Sequence, residues 1–187
     1  MPYSTFKEYL HLYIHHIDWT RLMVIFILSL TLFAILLFRK KYSVYGSIAL
    51  VFTVFFCLFL VDSMVLIRFI QINSNGSGFD LQSEYYRLVH GTKDERAQML
   101  FNIIAFVPFG FFLSEFFSAV TKYSLKQKMG FVALVSLGLS LCLEFLQLLF
   151  RIGMFELTDL AMNTIGAIAG ATLALIGRAL FRLIKGR

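Results

Sequence analysis

The sequence predicts an all-α fold: a polytopic membrane bundle of about five transmembrane helices, preceded by an N-terminal interfacial amphipathic helix. Three observations predict it. Hydrophobic residues make up 59% of the 187-residue chain and charged residues only 15%, against about 25% charged in an ordinary soluble domain. The apolar residues fall into five long runs, each able to cross about 30 Å of hydrocarbon at 1.5 Å per residue. The charges between those runs alternate from mostly basic to mixed, the pattern of a chain threaded through a bilayer.

The first 21 residues are read as interfacial. Phe6, Tyr9, Leu10, Tyr13, Ile14 and Ile17 recur at helical spacing on one face, with Lys7, Glu8, His11 and His15 on the other. Thr5 and Glu8 have the spacing of a capping box. His11 and His15 lack an evident third ligand, so a solvated polar face is expected rather than a metal site, and no cofactor is expected anywhere. Trp19 suits the aromatic belt.

The spanning runs are 22–38, 44–67, 99–120, 129–150 and 158–180. The first is short and can borrow a turn from the residues before it. It is not a cleavable signal: charges before it cancel, Arg39, Lys40 and Lys41 follow it, and no small-residue cleavage site appears. Organisation is therefore expected as 1–21 interfacial, 22–98 two spanning helices and a long loop, 99–181 a three-helix core, and 182–187 a basic tail. In the loop, 73–78 is a turn, the next stretch mixes aromatics with charge, and Asn75-Gly76-Ser77 matches a glycosylation sequon of little weight. Cys57 and Cys142 sit mid-run and are expected to be packing residues.

Five crossings fix an orientation. Segments on one side hold Arg39, Lys40, Lys41, Lys122, Lys126, Lys128, Arg178, Arg182, Lys185 and Arg187, and no acid. The other side holds seven basic and eight acidic residues, while Asp62, Glu115 and Glu144 lie within helices. By the positive-inside rule the N-terminus is outside and the C-terminus cytoplasmic. The net charge of +6 is then a topology signal that suits an anionic inner leaflet, and nucleic acid is not an expected partner.

A carboxylate within hydrocarbon costs at least about 2.5 kcal/mol, so the buried polar residues are the candidates for function. Asn102, Glu144, Gln147, Asp159, Asn163 and Asp62 all fall toward the outer side; Glu144 lies about 9 Å below the outer end of its helix. Glu115 alone lies near the inner side, where Lys122 or Lys126 is the expected partner. In the fourth helix Ser136, Ser140, Glu144, Gln147 and Arg151 form one stripe, and in the fifth Asp159, Asn163, Gly166, Gly170, Ala174 and Gly177 form another. The short connection RIGMFELT makes these two helices an antiparallel hairpin, with their stripes facing each other and the Asn102 end of the third helix. Arg151 and Asp159 are a possible pair across the rim. Glu144 either carries a proton or accepts hydrogen bonds from Asn102, Gln147 or Asn163. Pro108 and Gly110 break the regularity of the third helix, Pro108 by freeing a backbone carbonyl. Gly166-x-x-x-Gly170 allows close helix approach.

Two readings of the polar groups compete: interhelical hydrogen bonds worth about 0.6 kcal/mol each, or a pocket open to the outer surface. The number of polar groups at one depth favours the pocket. Its candidate ligand-binding residues are Asn102, Glu144, Gln147, Arg151, Asp159 and Asn163, with Pro108, Gly110, Gly166 and Gly170 as packing residues.

The segments NIIAFVPFG (102–110), SLCLEFLQLLFRIG (140–153) and ELTDLAMNTIGAIAG (156–170) resemble the VanZ-like family of small bacterial membrane proteins. The shared pattern is an Asn-led helix with Phe-x-Pro-x-Gly, then Glu-x-x-Gln, then Asp-x-x-x-Asn-x-x-Gly. It falls here on Asn102, Pro108, Gly110, Glu144, Gln147, Asp159, Asn163 and Gly166. The resemblance spans about 80 residues; each fragment alone is weak, and the set is specific. Upstream, GSGFDLQSEYYRLV lacks the proline that members usually carry. The resemblance implies a bacterial cell-membrane protein with a role in antibiotic resistance or envelope physiology, since the family's founding member is associated with low-level resistance to teicoplanin, a lipid-tailed glycopeptide.

Three functions are then open. In the preferred one the chain binds or shields an amphipathic envelope ligand, a lipid-tailed glycopeptide or a lipid-linked wall precursor, with membrane lipids as its other partners. In the second it is an intramembrane enzyme acting on a lipid-linked substrate, with Glu144 and Asp159 as an acid/base pair or divalent-cation ligands. No nucleophile–base pair or metal motif accompanies them, so a binding protein is preferred to an enzyme. In the third, Asp62, Glu115 and Glu144 relay protons. Oligomerisation through the Gly166/Gly170 face competes with packing inside one chain.

Overall fold

The structure, a computed structural model, describes residues 18–66, 86 and 89–186. The expected interfacial helix, its Thr5–Glu8 box, His11, His15 and the sequon at Asn75 lie outside the described residues. Within them are five long helices, each long and apolar enough to cross a membrane: α1 (Trp19–Arg39), α2 (Val44–Val61), α3 (Lys93–Val120), α4 (Leu125–Leu149) and α5 (Leu157–Ile184).

Helices α1 to α4 each start where an N-cap side chain satisfies free N–H groups. Asp18 accepts from the backbone of Thr20 (2.9 Å) and Arg21 (3.3 Å). The Arg21 backbone N–H, the largest influence, holds the Asp18 carboxyl below its ordinary range. Trp19, Thr20 and Arg21 therefore open α1, the turn that the short run 22–38 was free to borrow. Ser43 caps α2. Thr92/Glu95 and Ser124/Gln127 form reciprocal capping boxes on α3 and α4. These boxes start α3 at Lys93 and α4 at Leu125, earlier than the expected 99 and 129, because helix hydrogen bonding continues through polar first turns that hydropathy ends too soon.

Beyond Val61, α2 runs into one π turn, Asp62–Leu66, within the expected run 44–67. After α4 the chain turns through a Schellman motif: Ile152 N–H donates to the Gln147 carbonyl (3.0 Å) and Arg151 N–H to the Leu148 carbonyl (3.1 Å). Arg151 occupies the left-handed position at φ 56°, which usually takes glycine. Ile152 is thereby turned into the core.

The closest packing is between α3 and α5. A methyl built on Gly166 would lie 2.2 Å from the Ile103 carbonyl oxygen, and one on Gly170 would lie 1.9 Å from that of Val107. On the facing helix a methyl on Gly110 would meet the Ala167 carbonyl at 2.0 Å. The register advances in the same direction along both chains, so α3 and α5 are parallel neighbours in backbone contact. The Gly166–Gly170 part of the stripe therefore faces α3, the third helix that the stripes were expected to meet at its Asn102 end. Backbone contact is available only where both surfaces lack side chains, and Gly110 and Ala167 complete that match.

The core joins Leu60 and Val65 of the α2 end to Phe106, Phe109 and Leu113 of α3, Val132 and Leu143 of α4, and Ala167 and Ala171 of α5. Phe52 and Phe56 stack on Phe112, tying α2 to α3. Helix α1 packs on α2 and leaves most of its apolar surface outward. Exposed Met23, Phe26, Ile27 and Leu28 on α1, and Leu134, Leu141 and Phe145 on α4, suit hydrocarbon as solvent. Cys142 belongs to that outward surface; only Cys57 packs against the core, and neither is in a disulfide.

Candidate functional site

The polar residues singled out above gather at the end of the bundle holding the α4–α5 turn. Stripes on α4 and α5 bring them there. Ser140 and Glu144 are one turn apart on the buried face of α4, and Asp159 and Asn163 one turn apart on that of α5. Asn163 Nδ2 donates to Ser140 Oγ at 2.8 Å, tying the two stripes together. Burial is nearly complete: Asn102 is 4% exposed, Asp159 3%, Glu144 and Gln147 2%, and Asn163 1%. Arg151 differs; it lies exposed on the turn.

Glu144 has a role that its helix position did not reveal. Its Oε2 accepts the backbone N–H of Glu156 at 2.9 Å. Glu156 is the N-cap residue of α5 and supplies no side-chain cap of its own. A carboxylate from α4 thus faces the positive end of the α5 dipole, where negative charge is favoured. Asp159, in the first turn, lies in the same field. The amide side chains expected near Glu144 make the following contacts. Gln147 Nε2 donates to the Met64 carbonyl inside the π turn, at 3.2 Å. Asn163 Nδ2 is taken by Ser140, and Asn102 Nδ2 has no hydrogen-bond partner.

The α3–α5 register, Ile103 against Gly166, places Asn102 within about a turn of Asn163 along the bundle. Asn163 Oδ1 also has no partner. The cluster therefore holds one open amide donor and one open amide acceptor, both in nearly fully buried residues. Leaving a buried polar group unmatched costs about 1–3 kcal/mol.

Sequence reasoning missed Arg21, which lies 2.9 Å from Asp62. Asp62 starts the π turn and is buried, so Arg21 of α1 supplies its counter-charge. The available signal was that α1 could borrow its first turn from residues 19–21. At the opposite end, Glu115 is paired with Arg178 at 2.7 Å, and not with the expected Lys122 or Lys126. Arg178 also donates through Nη2 to the Ser114 carbonyl at 3.1 Å. Arg178 lies on α5, directly alongside α3, whereas Lys122 follows the end of α3 and Lys126 opens α4. Among the described residues, no group of three or more His, Cys, Asp or Glu side chains is arranged to hold a metal ion.

Two cavities lie away from the polar cluster. A wholly apolar one of about 220 Å³ separates α1 from α2, between Phe26, Phe33, Ile48 and Phe52. A larger one of about 510 Å³ opens between α2, α3 and α5 beside Glu115 and Arg178.

Comparison with known proteins identifies the family. The family model described as VanZ/LLP1 matches residues 24–181, from α1 to near the end of α5. Protein VanZ of Enterococcus faecium is 37% identical over 76 residues, covering 41% of this chain and 43% of that protein. The chain thus matches less than half the length of that relative. No solved structure matches. With its five membrane-length helices and a family match over most of its length, the chain belongs to the VanZ/LLP1 family.

Proposed function

We propose that this multi-pass membrane protein binds or shields an amphipathic ligand of the bacterial envelope at the Glu144 end of the bundle, and through it contributes to teicoplanin resistance. The observation that carries the reading is the pair of open amide groups, Asn102 Nδ2 and Asn163 Oδ1, inside a buried polar cluster. An unmatched donor and an unmatched acceptor in one cluster are the groups a peptide unit complements when the bundle end parts to admit it, and a glycopeptide head is built of peptide groups. The charge distribution supports placing this end in the outer leaflet, with the N-terminus outside and the C-terminus cytoplasmic. A ligand there keeps its tail in lipid and presents its head to Asn102, Asn163 and the α5 N-terminus, with Arg151 at the rim. The resemblance to a family whose founding member is associated with teicoplanin resistance supports a lipid-tailed glycopeptide; a lipid-linked wall precursor has the same amphipathic build.

The test is susceptibility of a Gram-positive host producing the wild type, Asn102→Ala or Glu144→Gln at matched membrane levels. Selective protection from a lipid-tailed glycopeptide over a tailless one, reduced stepwise in the variants, is the expected result. Equal protection from both drugs, or none, rejects a site that recognises the tail. Near-total loss in Glu144→Gln, with chemically altered ligand recovered from wild-type cells, replaces binding with catalysis by Glu144 and Asp159.

A further inference from the structure

The cavity at the opposite end has the chemistry of a second site. It is walled by Tyr45 of α2, by Phe111 and Ser118 of α3, and by Gly177, Arg178 and Phe181 of α5. Glu115 on its wall is 4% exposed. A buried ion pair gains little stability over apolar residues of the same shape, so this one invites another explanation.

Arg178 provides it. Its Nε and Nη2 hydrogen bonds, to Glu115 Oε1 and the Ser114 carbonyl, engage one edge of the guanidinium. Of five N–H donors, three are left, including both on Nη1. Nη1 has no protein partner among the described residues, and it is not among the sealed, unmatched polar atoms. Glu115 and Ser114 thus fix the plane of the guanidinium and leave an edge suited to bidentate contact with a phosphate.

Charge and apolar surface agree with that edge. Glu115 neutralises Arg178, while Lys128 lies within electrostatic reach of Arg178, Arg182 and Glu115, so further cations stand near the pair. Lys185 Nζ lies 4.8 Å above the Phe181 ring, at the cavity wall. Phe111 and Phe181 offer the apolar contact that acyl chains require.

We infer that the cleft between α2, α3 and α5 binds the phosphate of an anionic phospholipid, held by the free edge of Arg178 with its chains against Phe111 and Phe181. Free phosphate offers the same oxygens but leaves the apolar walls uncovered. The site is independent of the polar cluster around Glu144 and of the function proposed for it.

The experiment uses the full chain, purified in detergent and stripped of lipid. Native mass spectrometry counts retained dioleoyl phosphatidylglycerol and dioleoyl phosphatidylcholine offered together, with and without excess inorganic phosphate. The expected preference for phosphatidylglycerol is about tenfold, unaffected by inorganic phosphate and abolished in Arg178→Gln. Because Arg178→Gln leaves Glu115 without its partner and can misfold, Gly177→Leu is the second variant. A methyl on Gly177 meets no atom within 4 Å, so the larger side chain enters the cleft without a backbone clash. It should fold normally and lose the preference. Equal retention of the two lipids, a preference that survives in folded Gly177→Leu, or displacement by inorganic phosphate would each overturn the inference.

Discussion

The α3–α5 seam yields the sharpest stability prediction. In Gly170→Ala the new methyl would sit 1.9 Å from the Val107 carbonyl oxygen and 2.8 Å from the Phe111 nitrogen. An ordinary carbon–oxygen contact is about 3.3 Å, so the helices must separate locally by about 1.4 Å. Both neighbours are backbone atoms inside helices and cannot rotate away. A gap of 0.5–1 Å already forfeits a quarter to a half of a contact's dispersion energy, and overpacking typically costs about 1–3 kcal/mol. Alanine returns about 0.5–1 kcal/mol of helix propensity. A net loss of up to about 2.5 kcal/mol is expected. Gly138→Ala is the internal control: nothing lies within 4 Å of its added methyl, so only the propensity gain applies. Thermal unfolding of both variants in one detergent should move their midpoints in opposite directions. Equal stability of the two variants would refute backbone contact along this seam.

Other residues give further expectations. Ser140→Ala removes the acceptor of Asn163 Nδ2 and should cost about 1–3 kcal/mol by denaturant titration. Glu144→Gln keeps an oxygen for the Glu156 N–H and should be milder than Glu144→Ala, which removes it; equal losses would mean that the charge matters more than the hydrogen bond. Glu115→Leu alone removes the partner of the partly exposed Arg178 and should cost about 1–3 kcal/mol, whereas Glu115→Leu with Arg178→Met should recover most of it, read from a double-mutant cycle. Arg151→Gly relieves a left-handed residue and should raise the melting temperature while removing the rim cation, so stability and drug protection should move apart.

The membrane helices were legible because spanning a bilayer demands long apolar runs, and those runs dominate this sequence. The starts of α3 and α4 were less legible, since Lys93–Gln98 and Leu125–Lys128 are polar enough to read as loop; Thr92/Glu95 and Ser124/Gln127 carried the missing signal. Depth and helix face, set by the 3.6-residue repeat, gathered Asn163 with Ser140 correctly. The partners of Glu115 and Asp62 were not legible. Each lies on a helix remote in sequence, and pairing depends on which helices touch. The same limit hid the hydrogen bond between Glu144 and Glu156 N–H: a backbone group at a helix start leaves no residue-type signature. Gly110 and Gly166 were visible as small residues, but their mutual seam required knowing that α3 and α5 are neighbours.

Sidedness is checked by cysteine labelling after Cys57 and Cys142 are replaced: Gly153→Cys should react from outside intact cells and Tyr123→Cys should not. The most direct test of the account is equilibrium binding of a lipid-tailed glycopeptide to the wild type and to Asn102→Ala in nanodiscs, with a tailless glycopeptide as control. The account predicts saturable binding of the tailed compound alone, weakened about fivefold to tenfold by loss of one buried hydrogen-bonding group. Binding no greater than to empty nanodiscs, or binding unchanged in Asn102→Ala, would contradict it.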